Sequence, residues 1–464
     1  MSKEIASQNK MAVMPVPKLM LNMGIPIVLS MILQAVYNIV DTAFMGAIEK
    51  FTPEAGVSAD NALLALTLAF PIQMLIVAVA IGTSVGVNAL LSRSLGQQDY
   101  EKTNKTAGNG MFLGVIICVI FMIFGLCGIN VYLRSQTSNQ EVISLCASYL
   151  RICCLVNFGT VGFAVFEKIL QSTGKSVFST TAQILGALTN IILDPIMIYG
   201  LFGFPTLGVN GAAYATVIGQ IVSFAVAALF HFFKNKEVKF AWKYVKPDWN
   251  IIKEIYVIGL PAIIMQALMS FMTFGVNIIF KNVSESAVTA YGIFYKIQQF
   301  LFMAGFGLRD AITPIISFNY GMNQKNRVKS GIKSGVCFVS IIMLVGIIVL
   351  ELFADQMTGW FSLSGETAEL CALAIRIIAP GFIFAGLNIA FQGVYQALGC
   401  GLSSLVVSLL RLCVVVLPLA YIFTLFDNAR VMIWFAFPIA ELVAAIVAIG
   451  CYLSAKKVLI DTME

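Results

Sequence analysis

Seven polar residues lie inside strongly apolar sequence, and their spacing sorts them into groups. Gln34, Asn38 and Asp41 fall at i, i+4 and i+7 of one apolar run, so a helix places all three on one face. Asn190 and Asp194, at i and i+4, share a face of a second run and are followed by Pro195. Proline has no N–H to give to the carbonyl four residues back, so the oxygen of Ile191 is left free to act as a ligand. Asn157 and Thr216 sit within two further apolar runs. Two carboxylates, two amides and a hydroxyl make a hard-oxygen set. It suits Na⁺, or a proton held where two carboxylates repel each other. The alternative is structural, with Asp41 and Asp194 only bonding neighbouring helices. An ionisable group within hydrocarbon is costly unless solvated or paired, so each is a candidate for function.

A second set of charges lies later in the chain. Lys296, the adjacent Arg309-Asp310, Arg411 and Glu441 all fall within apolar runs. With Gln34 and Asn38 they are expected at a substrate cleft or gate. A static ion-pair network holding the second half together is the alternative for the charged ones. Asp41, Asn190 and Asp194 have no counterparts there, so ion chemistry is expected in the first half alone.

The surrounding composition says what must position these groups. Of 464 residues 59% are hydrophobic and only 11% are charged, where a soluble chain carries about a quarter. Most of the surface therefore faces something other than water. Apolar runs of about 20 residues, enough to cross a hydrocarbon core, recur throughout. Twelve spans fit, over roughly 20–47, 61–91, 107–133, 143–170, 177–200, 208–233, 251–280, 286–318, 331–354, 370–398, 402–426 and 430–455. The polar first 19 residues do not read as a cleaved signal, so the first run is expected to stay as a span.

Basic residues orient the spans. With the N-terminus inside, the inside connections, counting from Lys3, hold 20 of the 29 Lys and Arg. The outside connections hold four, Lys50, Arg134, Lys281 and Arg430; five fall within spans or at their ends. That bias puts both termini in the cytoplasm and the protein in the inner (plasma) membrane. The charge of +6 thus reflects basic connections and calls for no nucleic acid. The ten cysteines read as small apolar residues and the single His231 as an interfacial one. With one histidine, an integral-membrane enzyme is not expected.

Depth follows from a rise of about 1.5 Å per residue. Asp194 lies about 25 Å from the inside end of the fifth span and Thr216 about 12 Å below the outside end of the sixth. Asp41 is near the outer end of the first, and Asn157 is near the middle of the fourth. These groups are expected to converge in the outer half of the first bundle.

The chain also repeats itself. A shift of 225 residues brings Gln73 onto Gln298, Gly82 onto Gly307, Ser92 onto Ser317 and Gly96 onto Gly321. Cys146-Ala147 and Arg151-Ile152 fall on Cys371-Ala372 and Arg376-Ile377 at the same offset. Six spans is an even number, so both copies enter the membrane in one direction, as a parallel repeat does. The expected fold is an all-α integral membrane protein. It has twelve transmembrane helices in two six-helix bundles related by a pseudo-twofold axis along the membrane normal. Residues 1–233 form the first lobe, 234–249 a cytoplasmic linker and 250–464 the second lobe. Two bundles make a cleft, and bundles that rock give alternating access.

Particular stretches carry a family likeness. Asn-Ile-Val-Asp-Thr-Ala-Phe-Met-Gly (38–46) and Asn-Ile-Ile-Leu-Asp-Pro-Ile-Met-Ile-Tyr-Gly (190–200) resemble signatures of MATE (multidrug and toxin extrusion) transporters. So do Gly-Val-Asn-Gly-Ala-Ala-Tyr-Ala-Thr (208–216), Gln-Ser-Thr-Gly-Lys (171–175) and Pro-Ile-Ile-Ser-Phe-Asn-Tyr-Gly (314–321). The likeness covers essentially the whole chain and is nearest the bacterial DinF-like and MepA-like subgroup. It implies a secondary antiporter exporting organic, cationic amphipathic compounds in exchange for Na⁺ or H⁺, working as a monomer without other cofactors. It also implies a first-lobe cation site at Asp41, Asn157, Asn190, Asp194 and Thr216, and a first helix that bends at Pro26. A subgroup with an acidic site in the seventh span is not matched, since 259–269 has no carboxylate. The rival within the wider superfamily is a lipid or lipid-linked oligosaccharide flippase, which would want a basic cleft for pyrophosphate.

Overall fold

A computed structural model describes residues 9–51, 59–360 and 365–463. Lys3, counted above among the basic inside residues, lies outside them. Helices account for every regular element among the described residues. Eleven are long and apolar enough to cross a membrane by themselves, and a bent pair makes a twelfth. The spans run Val16–Gly46, Ala59–Gly96, Tyr100–Cys127, the pair Gln140–Leu155 and Phe158–Ser172, Ser176–Tyr199 and Val209–Lys234. The second six are Trp249–Lys281, Glu285–Gly321, Lys325–Trp360, Gly365–Leu398, Gly401–Phe423 and Ala429–Ile460.

Helices are the expected solution where no water can satisfy backbone groups. Their starts are set locally: Asp99 accepts from the backbone N–H of Lys102, Asn139 from Glu141 and Val142, and Ser284 from Ala287. The internal repeat is visible in these starts. Helices beginning at Tyr100, Gln140 and Ser176 recur at Lys325, Gly365 and Gly401, each 225 residues on.

Several spans depart from the continuous helices expected, and two of these departures bear on the polar residues. The fourth bends by 43° between Leu155 and Phe158. There the amide of Asn157 donates to the carbonyls of Cys154 and Cys118 rather than standing on an undisturbed helix face. The eleventh contains a wide π turn at Leu410–Val414. Pro418 explains it: its ring crowds the carbonyl four residues back, that of Val414, and a widened turn relieves the clash.

The chain divides into two compact units. One holds Ile32–Leu91 and Asp99–Tyr256; the other holds the described residues up to Met31, Ser92–Gln98 and those from Val257 on. In the second, the leading half of the first span packs on the eighth. A Cβ on Gly24 would lie 2.6 Å from Leu308, and one on Gly307 would lie 2.8 Å from the backbone of Val28. Pro26 sits half-buried in this stretch, inside an otherwise uninterrupted helix. The eighth span is 72% buried over its most apolar window and the ninth only 17%, so the ninth leaves most of its apolar side chains uncovered by the protein.

Candidate functional site

In the unit holding residues 32–91 and 99–256, three spans bring the expected polar residues together. Asp194 is fully buried, Asn157 and Asn190 nearly so, and Asp41 and Thr216 half-buried. The amide nitrogen of Asn190 donates to Asp194 Oδ1 at 3.3 Å and to Thr216 Oγ1 at 3.5 Å, joining the fifth and sixth spans. Asp41, from the first span, is close enough to Asp194 for their charges to act on each other. Asn157 stands at the bend of the fourth span, and no side-chain bond ties it to the other four. Its neighbour Cys153 is within electrostatic reach of Asp41.

What these groups lack is more telling than what they bond. Asp41 Oδ1, Asn157 Oδ1, Asn190 Oδ1 and Asp194 Oδ2 are all buried without a hydrogen-bond donor. Each such oxygen costs about 1–3 kcal/mol. Four of them, on two spans and the bend of another and two belonging to carboxylates, are hard oxygens of the type that a hard cation or a proton takes. No group of three His, Cys, Asp or Glu side chains is placed to hold a metal among the described residues. Amide and hydroxyl oxygens would therefore have to complete any ion's shell.

Close packing holds this geometry. A Cβ on Gly219 of the sixth span would lie 2.7 Å from the Gly186 carbonyl and 3.0 Å from Asn190 Cβ. Small residues let two helices approach this closely in lipid. Gly219→Ala is expected to push the spans apart, breaking the Asn190–Thr216 bond and destabilising the protein by about 1–3 kcal/mol. A lowered unfolding temperature in detergent, together with weakened export, checks this.

The residues around the site extend beyond those legible in sequence. Tyr37, between Gln34 and Asp41, pairs with Gln34 and lies within reach of both carboxylates. Its position one turn before Asp41 on the same helix was the available signal. Tyr149, buried in the fourth span, takes a hydrogen bond from Gln73 at 3.0 Å and is also within reach of both carboxylates. Tyr199 donates to the carbonyl of Phe44 at 2.6 Å, tying the trailing end of the first span to the fifth.

Other expectations divide. Gln34 accepts from Gln183 at 3.0 Å and joins this polar shell. Asn38 does not: its side chain is exposed, because the helix turns it away from the buried flank that holds Tyr37 and Asp41. His231 is buried rather than interfacial, seated edge-on against Phe166 and 3.3 Å from Asn235 Nδ2.

In the other unit, Arg309 binds its neighbour Asp310 through Nε at 3.0 Å and Nη2 at 2.8 Å, with its guanidinium over the ring of Phe306. Arg411, on the π turn, grips Glu441 Oε1 through Nε at 2.9 Å and Nη2 at 2.6 Å. The buried Asn388 donates to the second oxygen of Glu441 at 2.8 Å. These are closed ion pairs, the static alternative raised from sequence. Lys296 is exposed and makes no ion pair among the described residues.

Comparison with known proteins places this geometry in context. The MatE family model matches residues 26–196 and 261–422. Multidrug export protein MepA of Staphylococcus aureus (strain MRSA252) is 26% identical over 452 residues, spanning 97% of this chain and 96% of that protein. The outward-facing conformation of a multidrug resistance MATE family transporter of the MOP superfamily superposes with a TM-score of 0.90 at 26% identity. It covers 98% of this chain and 99% of its own. A MOP superfamily transporter from Pyrococcus furiosus, whose binding pocket of reverse polarity suggests a different function, is also similar. It has a TM-score of 0.88, 26% identity and coverage of 97% and 98%.

Proposed function

This chain belongs to the MatE family of membrane transporters, and from that premise we propose that it is an ion-coupled antiporter for organic, cationic amphipathic compounds. The observation that carries the reading is the set of four buried oxygens without donors at Asp41, Asn157, Asn190 and Asp194. Thr216 completes it through Asn190. Na⁺ or H⁺ entering this chamber compensates the two carboxylates, and the ion's differing affinity for the two facing states drives export. The likeness to MepA, a multidrug export protein, and to a multidrug resistance transporter supports this reading.

The flippase alternative gains nothing from the buried basic residues. Arg309 and Arg411 are each held by a carboxylate, at 2.8 and 2.6 Å, and neither is available to a pyrophosphate. The rest of the reading is a monomer of two six-span lobes, 1–233 and 250–464. It lies in the lipid bilayer of the plasma membrane with both termini in the cytoplasm. Its substrate is a small molecule and its coupling ion is a co-substrate.

Proteoliposomes loaded with a cationic dye test this. An inward Na⁺ or H⁺ gradient is expected to drive dye transport in the opposite direction, and an ionophore that collapses that gradient should stop it. Transport indifferent to both gradients would refute the coupling.

A further inference from the structure

The connection between the sixth and seventh spans is a built surface. Its backbone is pinned to the third span. Asn104 accepts from the N–H of Lys239 at 2.7 Å, Asn109 accepts from that of Asp248 at 2.8 Å, and the Asn109 amide donates to the Lys246 carbonyl. Gly108 lets the Tyr244 carbonyl settle on the helix, since a Cβ there would lie 2.2 Å from that oxygen. The segment is thus laid against the bundle with one side turned outward.

Charge is sorted between its two sides. Acidic groups of this region are engaged by lysines of the bundle: Glu237 by Lys175, Asp248 by Lys105 at 3.9 Å, and Glu254 by Lys102 at 2.7 Å. Lys234, Lys236, Lys239, Lys243 and Lys246 remain exposed, and their ammonium groups make no ion pair among the described residues. Among and beside them stand exposed aromatics: Phe233 at 73%, Trp242 at 80% and Trp249 at 78%. Phe232 and Phe240 meet edge-on, as do Phe240 and Trp242, so the rings form a continuous row.

Ammonium groups with no carboxylate partner among the described residues, that of Lys243 lying over the Tyr244 ring, stand with aromatic rings at the end of an apolar span and match one environment. Rings of this kind settle at headgroup depth, and clustered lysines beside a span are drawn to anionic lipid. We propose that residues 232–249 form a binding surface for anionic phospholipid headgroups of the adjoining leaflet, with the lysines on the phosphates and Trp242 and Trp249 in the interface. This goes beyond the antiport reading and does not depend on it.

The test uses the full chain in phosphatidylcholine nanodiscs carrying a minor share of dibrominated phosphatidylglycerol or dibrominated phosphatidylcholine. Tryptophan quenching reads which lipid is enriched. Wild type should be quenched more by the anionic lipid, and high salt should erase the difference. The K234Q/K236Q/K239Q/K243Q/K246Q variant should lose the preference by roughly tenfold or more. The matching five-arginine variant should keep it, which separates loss of charge from loss of fold. Equal quenching by both lipids in wild type, or an undiminished preference in the glutamine variant, overturns the proposal. So does abolition of the preference by inorganic phosphate at constant ionic strength, which would make this a site for free anions.

Discussion

Asp194→Asn is expected to abolish gradient-driven export while leaving the protein folded at an equal or higher unfolding temperature. The pairing of those two outcomes is what makes the experiment decisive. Asp194 is fully buried, receives one bond from Asn190, and keeps Oδ2 without a donor. An amide in its place removes a buried charge, so the fold loses nothing electrostatically. What disappears is the charge that, on the proposed antiport, an entering ion compensates. Coupling worth only 1.4 kcal/mol changes an equilibrium tenfold, so export under a fixed gradient should fall by at least about tenfold. Asp41→Asn should act in the same direction with a smaller gain in stability, because Asp41 is half-buried. Dye transport in proteoliposomes and unfolding in detergent give the two readouts. Full export from both variants would disprove the site.

The opposite signature is expected from Arg411→Met. Removing the guanidinium leaves Glu441, whose side chain is 13% exposed, with Asn388 as its remaining partner. Breaking a buried pair from one side costs about 3–5 kcal/mol, because the other charge is stranded. Unfolding temperature should therefore drop sharply. Glu441→Gln in the same background should recover much of the loss, since it discharges the stranded group. Arg309→Met should be milder: the Arg309 side chain is 16% exposed against 4% for Arg411, so water already shares in its solvation. If Arg411→Met unfolds no earlier than Arg309→Met, this view of the second unit is wrong.

Sequence reasoning reached the spans, which rest on averages over many residues, and most of the buried polar cluster. A 20-residue apolar window is hard to mistake, and all twelve expected runs correspond to helices in the structure. The repeat survives for a similar reason, through several residue types at one offset. Asp41, Asn190, Asp194 and Thr216 were legible because polar atoms in apolar runs need partners. The misses are local. The 43° bend beside Asn157 and the π turn at Leu410–Val414 change a few backbone bonds without altering hydropathy. Pro418 was a visible cue to the second; Asn157 alone was a weak cue to the first. Tyr37 was passed over because a tyrosine in an apolar helix reads as packing until its hydroxyl is placed. His231 was put at the interface by its position at a helix end, where the rings of Phe166 and Phe232 instead enclose it.

The first span is fastened at two distant points. Near its trailing end the Phe44 carbonyl takes the hydroxyl of Tyr199, and near its leading end Gly24 and Val28 nest against Leu308 and Gly307. Asp41 lies 13 residues from Val28, about 20 Å along the axis. A rod anchored in this way cannot absorb a push at one end by sliding freely. Pro26, within the leading contact between Gly24 and Val28, leaves the hydrogen-bond ladder one rung short and is the helix's softest point. The arrival of a single positive charge beside Asp41 would thus be felt as bending stress about four helical turns away.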